Sequence, residues 1–393
     1  MESSRQLDGI TVLDLSSVGP AARCTRILAD YGAHVIKVSP PPRKGAVQIE
    51  PPYHSYAAGR GMSRVRIDLK APAGRAAFLR LAAEADVVIE SFRPGVAARL
   101  GIGYEALKTL NERIVYCSTS GYGQDGPYSQ WAGHDLNYLA VGGYLHCSGR
   151  RQDGGPTLPG ATVADSAAGG MQAVIAILAA LFRRGESGAG EYLDVAVADG
   201  VVQLMSLYVD EFLATGEAPG PGHSILTGRY ACYDLYTARD GKWLAVAAIE
   251  PAFFANLCKA LELEPWIPHQ LDDDRQREIR AALAEAFARR DRDAWVDELA
   301  PLNTCVSPVL SIDELTRDRH FLERGVFVET EHREHGRFRQ VGPVLAGGDR
   351  AQTFYPVAPG RADGNDTDTS ALLRGVGISD DEIEKLCSEG IVA

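Results

Sequence analysis

The sequence predicts an α/β fold, with a large domain built on a parallel sheet and a smaller α+β domain after it. Three observations point there. Short β-rich runs alternate with helix-period segments over roughly the first 120 residues. The stretch GEAPGPGHS at 216–224 breaks that pattern with turn residues. Beyond it, YACYDLYTARDGKWLAVAAIE at 230–250 reads as a hairpin turning at Arg-Asp-Gly, with helical segments following.

Taken in order, GITVLDLS (9–16) is a short aliphatic run that predicts a buried strand. Gly19-Pro20 follows, and AARCTRILADYG carries a helical period that stops at Gly32. AHVIKVS is the next buried strand. The unit then repeats: strand RVRIDL (64–69), helix 72–85, strand DVVIES (86–91), short helix 103–111, and strand RIVYCSTSGYG (113–123) entering a glycine-rich turn. Such β-α-β units, joined by right-handed crossovers, make a doubly wound, Rossmann-like sheet. The first strand-to-helix turn reads SSVGPAA and lacks GxGxxG, which argues against a resident NAD or FAD. Long loops are expected at 40–61 and 148–160, both rich in Pro and Gly.

The longest helical segment runs from Ala167 to about Arg184. EYLDVAVAD follows as a strand, then a helical stretch to about Thr215. Further helices are expected at 252–262, 275–289 and 292–299, a β-like stretch near 325–345, and a closing helix, DDEIEKLCSEG. The expected boundaries are 1–215 for the large domain, 216–228 for a linker, 229–324 for the small domain and 325–393 for a C-terminal segment.

Composition excludes several classes. A chain of 393 residues suits two domains, and 45% hydrophobic with 23% charged residues is ordinary for a globular protein. No run reaches ~18 consecutive apolar residues, so no membrane span is expected. The polar start MESSRQLDG lacks a signal-peptide core and EGIVA is not a peroxisomal address, so a cytoplasmic protein is expected. Seven scattered cysteines without a CxxC pair argue against zinc and disulfides. His332 and His335, in EHREH, lie in a charged stretch that reads as solvated surface, and no metal is expected. A net charge of −12 disfavours nucleic acid. The charge is uneven: residues 1–100 hold 14 Lys+Arg against 9 Asp+Glu, the remainder 26 against 43. Either that is chance placement on a surface, or the first hundred residues receive an anion.

Three residues stand out as candidates, each with a plain structural reading beside the functional one. Asp165 lies where a loop enters the long helix. It is either an N-cap or a group beside free N–H donors that could hold an oxyanion, with small residues after it that let a ligand approach. Glu250 ends a strand before Pro251, where a carboxylate is favoured by the helix dipole. His134, in AGHDLNYLA, is either a buried histidine hydrogen-bonded to a neighbour such as Asp135 or a base.

In combination, GITVLDLSSVGPAA, IESFRPGVAARLGIGYEAL, GYGQDGPYSQWAGHDLNY, the Asp165 helix entry, YDLYTARDGKWLAVAAIEP and CVSPVLSIDEL occur in an order that resembles the class III CoA-transferase superfamily, also called the carnitine-dehydratase/bile-acid-inducible family. GHDLNY and AIEPAFF are most similar to its α-methylacyl-CoA racemase branch. The resemblance implies a large Rossmann-like domain, a small domain, and a tail that returns to the large one. It also implies two subunits interlocked as a homodimer, with sites at their interface. Its ligand is an acyl-CoA thioester, with coenzyme A as part of the substrate and no separate cofactor. Arg93 and Arg99 match positions that contact CoA, and guanidinium groups suit its phosphates. His134 and Asp165 match the branch's acid/base pair. Between them they move the hydrogen α to the thioester carbonyl from one face to the other through an enolate. Glu250 matches the carboxylate that orients the histidine, from the partner subunit, and Asp135 and Tyr138 match supporting residues. Burial would raise the Asp165 pKa and a helix dipole would lower it, and the sequence does not decide between them.

Two other readings share the family. In a CoA-transferase, Asp165 is a nucleophile that forms a mixed anhydride and then a CoA thioester. Some transferases cover that intermediate with a GGGG-type loop, where this chain has HSILTGRYA. A non-catalytic acyl-CoA-binding subunit is the third reading, and retention of the acidic residue disfavours it.

Overall fold

The computed structural model describes residues 5–16, 18–41, 59–332, 336–347 and 367–393. Most of the expected 40–61 loop, and His335, lie outside these. The chain divides into two compact units: 1–143 with 159–206 and 319–393, and 144–158 with 207–318.

The first unit is built on six parallel strands: β1 (Thr11–Asp14), β2 (His34–Ser39), β3 (Ser63–Arg66), β4 (Val87–Glu90), β5 (Val115–Ser120) and β6 (Glu191–Ala196). Their order is β3-β2-β1-β4-β5-β6. The chain moves outward from β1 in one direction, then returns to start β4 on its other side. That reversal opens a crevice beyond the carboxyl ends of β1 and β4. Every residue of β4 and β5 is buried, as expected for central strands covered on both faces. One face packs helix α1 (Gly19–Asp30) and the helix Gln172–Ser187 through Cys24, Leu28, Ala173, Ile177 and Ala180. The other packs the Pro72–Ala83 helix and the C-terminal helices through Phe78, Leu81, Leu373, Ile383 and Leu386.

The C-terminal residues run along edge strand β3. Asp68 N–H donates to the Ile391 carbonyl at 2.8 Å, and Arg64 N–H donates to the Asp368 carboxylate at 2.8 Å. This covers an edge that would otherwise expose unpaired backbone groups. The β-like stretch near 325–345 is an antiparallel hairpin, Phe327–His332 with Gly336–Val341. The helical run Ala164–Ser187 is, by length and hydropathy alone, apolar enough to cross a membrane. Part of its surface packs into the core, and Arg184 near its end is buried against Asp86 at 2.8 Å.

The second unit holds three antiparallel strands, β7 (Tyr233–Thr237), β8 (Trp243–Ala247) and β9 (Val306–Pro308). Against them pack the helices Pro251–Ala260, Gln276–Phe287 and Arg292–Leu299, around Leu244, Phe254, Leu283, Phe287 and Trp295. The division differs from the expected boundaries. All but the first residue of the Ser206–Thr215 helix goes with the second unit, because none of its residues is buried in the core of the first. The loop 144–158 also goes with the second unit, and 319–324 with the first. Residues 216–228 are not a free linker. Tyr208 and His223 pack edge to face at 4.6 Å, and Ser224 caps a short 3-10 turn, Ile225–Thr227.

Candidate active site

The crevice beyond the sheet holds a cavity of about 930 Å³. Val18 to Pro20 after β1, Ser91 to Pro94 after β4 and Ser120-Gly121 at β5 all line it, with Arg23, His134, Asn137, Tyr138 and Asp165. The two residues proposed as an acid/base pair thus face one space from separate elements.

His134 precedes the Asp135–Val141 helix as its N-cap, in extended conformation. Its backbone N–H donates to Asn137 Oδ1 at 3.0 Å. Of the two readings of His134, the buried one does not hold: His134 is exposed and lines the cavity, and Asp135 Oδ1 accepts from the Asp165 amide. Tyr138, one turn on, is largely buried, and its hydroxyl donates to the Gly133 carbonyl at 2.6 Å. Its ring packs edge to face on Tyr122 at 5.2 Å. The loop carrying His134 is therefore held from behind by an aromatic wall. Burial pushes the Tyr138 hydroxyl up to about 12, so it stays neutral.

Asp165 is not an N-cap. It is the second residue of a π-helical turn, Ala164–Met171, that continues without a break into Gln172–Ser187. Val163 before it is already helical, with φ −69° and ψ −41°. Such turns widen a helix locally and recur at functional sites. The expected free donors at this point are also occupied. Asp165 N–H donates to Asp135 Oδ1 at 2.9 Å, and Ser166 N–H donates to the Thr162 carbonyl at 3.0 Å. Two of the small residues after Asp165 serve packing. A Cβ on Gly169 would lie 2.6 Å from Pro20 Cβ, and one on Gly170 would lie 2.9 Å from Arg23 Cβ, so the glycine pair admits helix α1.

Burial raises the Asp165 carboxyl above the usual range, and the Asp135 charge adds to it. Arg23 and His134 pull the other way without cancelling the rise.

Arg93 lines the cavity from the turn after β4 and is exposed. Arg99 is exposed in the next short helix, Val96–Leu100, with a guanidinium nitrogen 3.2 Å from where a Cβ on Gly95 would be. Glu250 is exposed in the second unit, at the N-cap of the Pro251–Ala260 helix, as its pattern suggested. Among the described residues no cluster of three or more His, Cys, Asp or Glu side chains is arranged to hold a metal.

Residues 7–367 match CoA-transferase family III. The chain belongs to that family. It is 34% identical to alpha-methylacyl-CoA racemase from Homo sapiens over 388 residues, covering 98% of this chain and 97% of that protein. It is also 31% identical to acetyl-CoA:oxalate CoA-transferase from Acetobacter aceti over 322 residues, 78% of this chain and 81% of the other. A solved structure of a CAIB/BAIF family protein from Brucella suis matches with a TM-score of 0.78 at 25% identity, covering 95% of this chain and all of that one.

Two residues of this family III enzyme were missed by sequence reading. Arg23 looks like one more charge on a helix, yet it lines the cavity beside Asp165. Glu90 reads as the end of a buried strand. It is 3% exposed, and it accepts from Ser118 Oγ and, at 2.6 Å, from Phe92 N–H. Burial raises its pKa. A carboxylate ending an all-apolar strand, VVIE, was the available signal.

Proposed function

We propose that this protein is an acyl-CoA racemase that inverts the α carbon of 2-methyl-branched acyl-CoA thioesters by 1,1-proton transfer. The observation that carries the reading is the pairing of His134 and Asp165 across one cavity, with the carboxyl raised by burial. The His134 imidazole suits the base; a raised carboxyl is more often protonated and suits the donor. Two groups on separate elements allow removal from one face and return to the other. Racemase similarity over 98% of the chain supports the same reading.

In this mechanism His134 takes the α proton, an enolate forms, and Asp165 returns a proton to the opposite face; the reverse direction exchanges the roles. The Asp165 and Ser166 amides already have acceptors. The enolate oxygen therefore needs a side-chain donor on the cavity wall. Ser120 lines that wall, and its hydroxyl is buried with no partner among the described residues. Arg93 and Arg99 serve the CoA phosphates.

The reading includes a homodimer in which Glu250 of a second copy orients His134. Met171, Ile175, Leu178 and Phe182 support self-association. They are 52%, 60%, 39% and 79% exposed at helical spacing, an apolar stripe suited to cover by another copy. Mixing inactive His134→Ala and Glu250→Ala chains tests this, since activity should reappear in mixed dimers only if the two residues act across subunits.

A second reading is CoA transfer with Asp165 as nucleophile, favoured by the similarity to acetyl-CoA:oxalate CoA-transferase. Incubating the enzyme with one enantiomer of a 2-methylacyl-CoA separates the two. Racemisation without any carboxylic acid acceptor supports the proposal. Strict dependence on an acceptor, with CoA moved to it, replaces it with the transferase reading.

A further inference from the structure

We propose that Arg23 makes the cavity selective for acyl-CoA thioesters whose acyl group carries its own carboxylate. The proposal rests on the acyl-CoA reading above and narrows its substrate class.

Arg23 lies in α1 and lines the same cavity as His134 and Asp165. Two contacts hold it there. Gly170 admits its stem, since any Cβ at that position would crowd Arg23 Cβ at 2.9 Å. Its Nη2 donates to Thr162 Oγ1 at 2.7 Å, which fixes the guanidinium beside the segment leading into Asp165. Among the described residues no carboxylate forms an ion pair with it, and its Nε is buried without a hydrogen-bond partner. Its charge reaches Asp165 and holds that carboxyl down against burial.

A partly buried cation without a carboxylate partner, on a cavity wall, is completed by an anion from the ligand. The planar fork of a guanidinium matches a carboxylate through two parallel hydrogen bonds. Arg93 lies on a different turn, after β4, so the two cations address different parts of a long ligand. With CoA phosphates on Arg93, the acyl end falls to Arg23. A carboxylate seated there has a second effect. It offsets the positive charge that opposes protonation of Asp165, and so favours the protonated form that reprotonates the α carbon.

Calorimetric dissociation constants test this, using 2-methylglutaryl-CoA, with the thioester beside the methyl-bearing carbon, against 2-methylpentanoyl-CoA. The wild-type enzyme should bind the carboxylate-bearing thioester about 10- to 100-fold more tightly. Arg23→Gln should abolish that preference, while Arg23→Lys should keep part of it. Equal or tighter wild-type binding of the neutral thioester overturns the proposal, as does a preference that survives in Arg23→Gln. Deuterium exchange at the α carbon of both thioesters is followed in parallel. A binding preference without exchange in either thioester sinks the racemase reading and leaves the role of Arg23 standing.

Discussion

The backbone N–H of Asp165 donates to Oδ1 of Asp135 at 2.9 Å. This bond ties the π turn bearing Asp165 to the helix that His134 caps, elements 30 residues apart in sequence. It also places a second carboxylate close enough to raise the Asp165 pKa.

Asp135→Asn keeps a side-chain oxygen for the Asp165 amide but removes the charge. The Asp165 pKa should fall, so less of it is protonated at neutral pH. The limb of the pH–rate profile that reports protonated Asp165 should then move to lower pH. An unchanged limb, with kcat lowered evenly, would assign Asp135 to scaffolding alone.

Asp165 itself should lower stability at neutral pH. Its folded pKa is raised, chiefly by burial, so folding disfavours the charged form. Stability from the neutral carboxyl is fully present below the unfolded value of ~3.9 and is lost as pH rises through the folded value. Asp165→Asn should therefore raise Tm at pH 7 to 8 and change it little near pH 3. Thermal melts across that range check the sign, and a lower Tm at pH 7 contradicts it.

Tyr138→Phe removes the hydrogen bond to the Gly133 carbonyl, a loss of about 1 kcal/mol in the order holding His134. We expect kcat to fall several-fold with its pH limbs unmoved, because the Tyr138 hydroxyl titrates only at about 12. Gly133→Ala should be worse, since its Cβ would meet Tyr138 Cε1 at 2.7 Å and Tyr122 Oη at 2.9 Å. Steady-state kinetics of the two variants over pH 6 to 9 decide this.

Gly169→Ala should destabilise the enzyme by about 1–3 kcal/mol through overpacking. The added Cβ would lie 2.6 Å from Pro20 Cβ and 3.0 Å from Val197 Cγ2, both parts of packed elements. Denaturant melts measure the cost, and an unchanged midpoint would show that helix α1 shifts freely.

Much of the first unit was legible because its strands and helices are short, periodic and bounded by Gly or Pro. The helix Val96–Leu100 was missed. Its signal lay in the glycines that flank it, Gly95 at φ 83° and Gly101 at φ 71°. Strand order was not legible, because no local pattern records on which side of β1 the chain returns. The site residues were named through the resemblance, but their setting was not. Sequence left Asp165 as either a helix cap or a group beside free helix-start donors, because a carboxylate before small residues fits both patterns. The π turn packs on helix α1 through Gly169 and Gly170, a tertiary contact that no local pattern records. Arg23 was invisible for the same reason: only the fold turns it toward Asp165.

The central claim is that His134 and Asp165 exchange protons with opposite faces of one α carbon. The most direct measurement is α-deuterium incorporation in D2O into each pure enantiomer of a 2-methylacyl-CoA, with wild-type, His134→Ala and Asp165→Ala enzymes and no acceptor acid. The account predicts exchange of both enantiomers by the wild type. It predicts that each variant exchanges only the enantiomer served by its remaining group, with no inversion. Absence of exchange in the wild type, with an aspartyl-CoA thioester trapped at Asp165 by hydroxylamine, would contradict it.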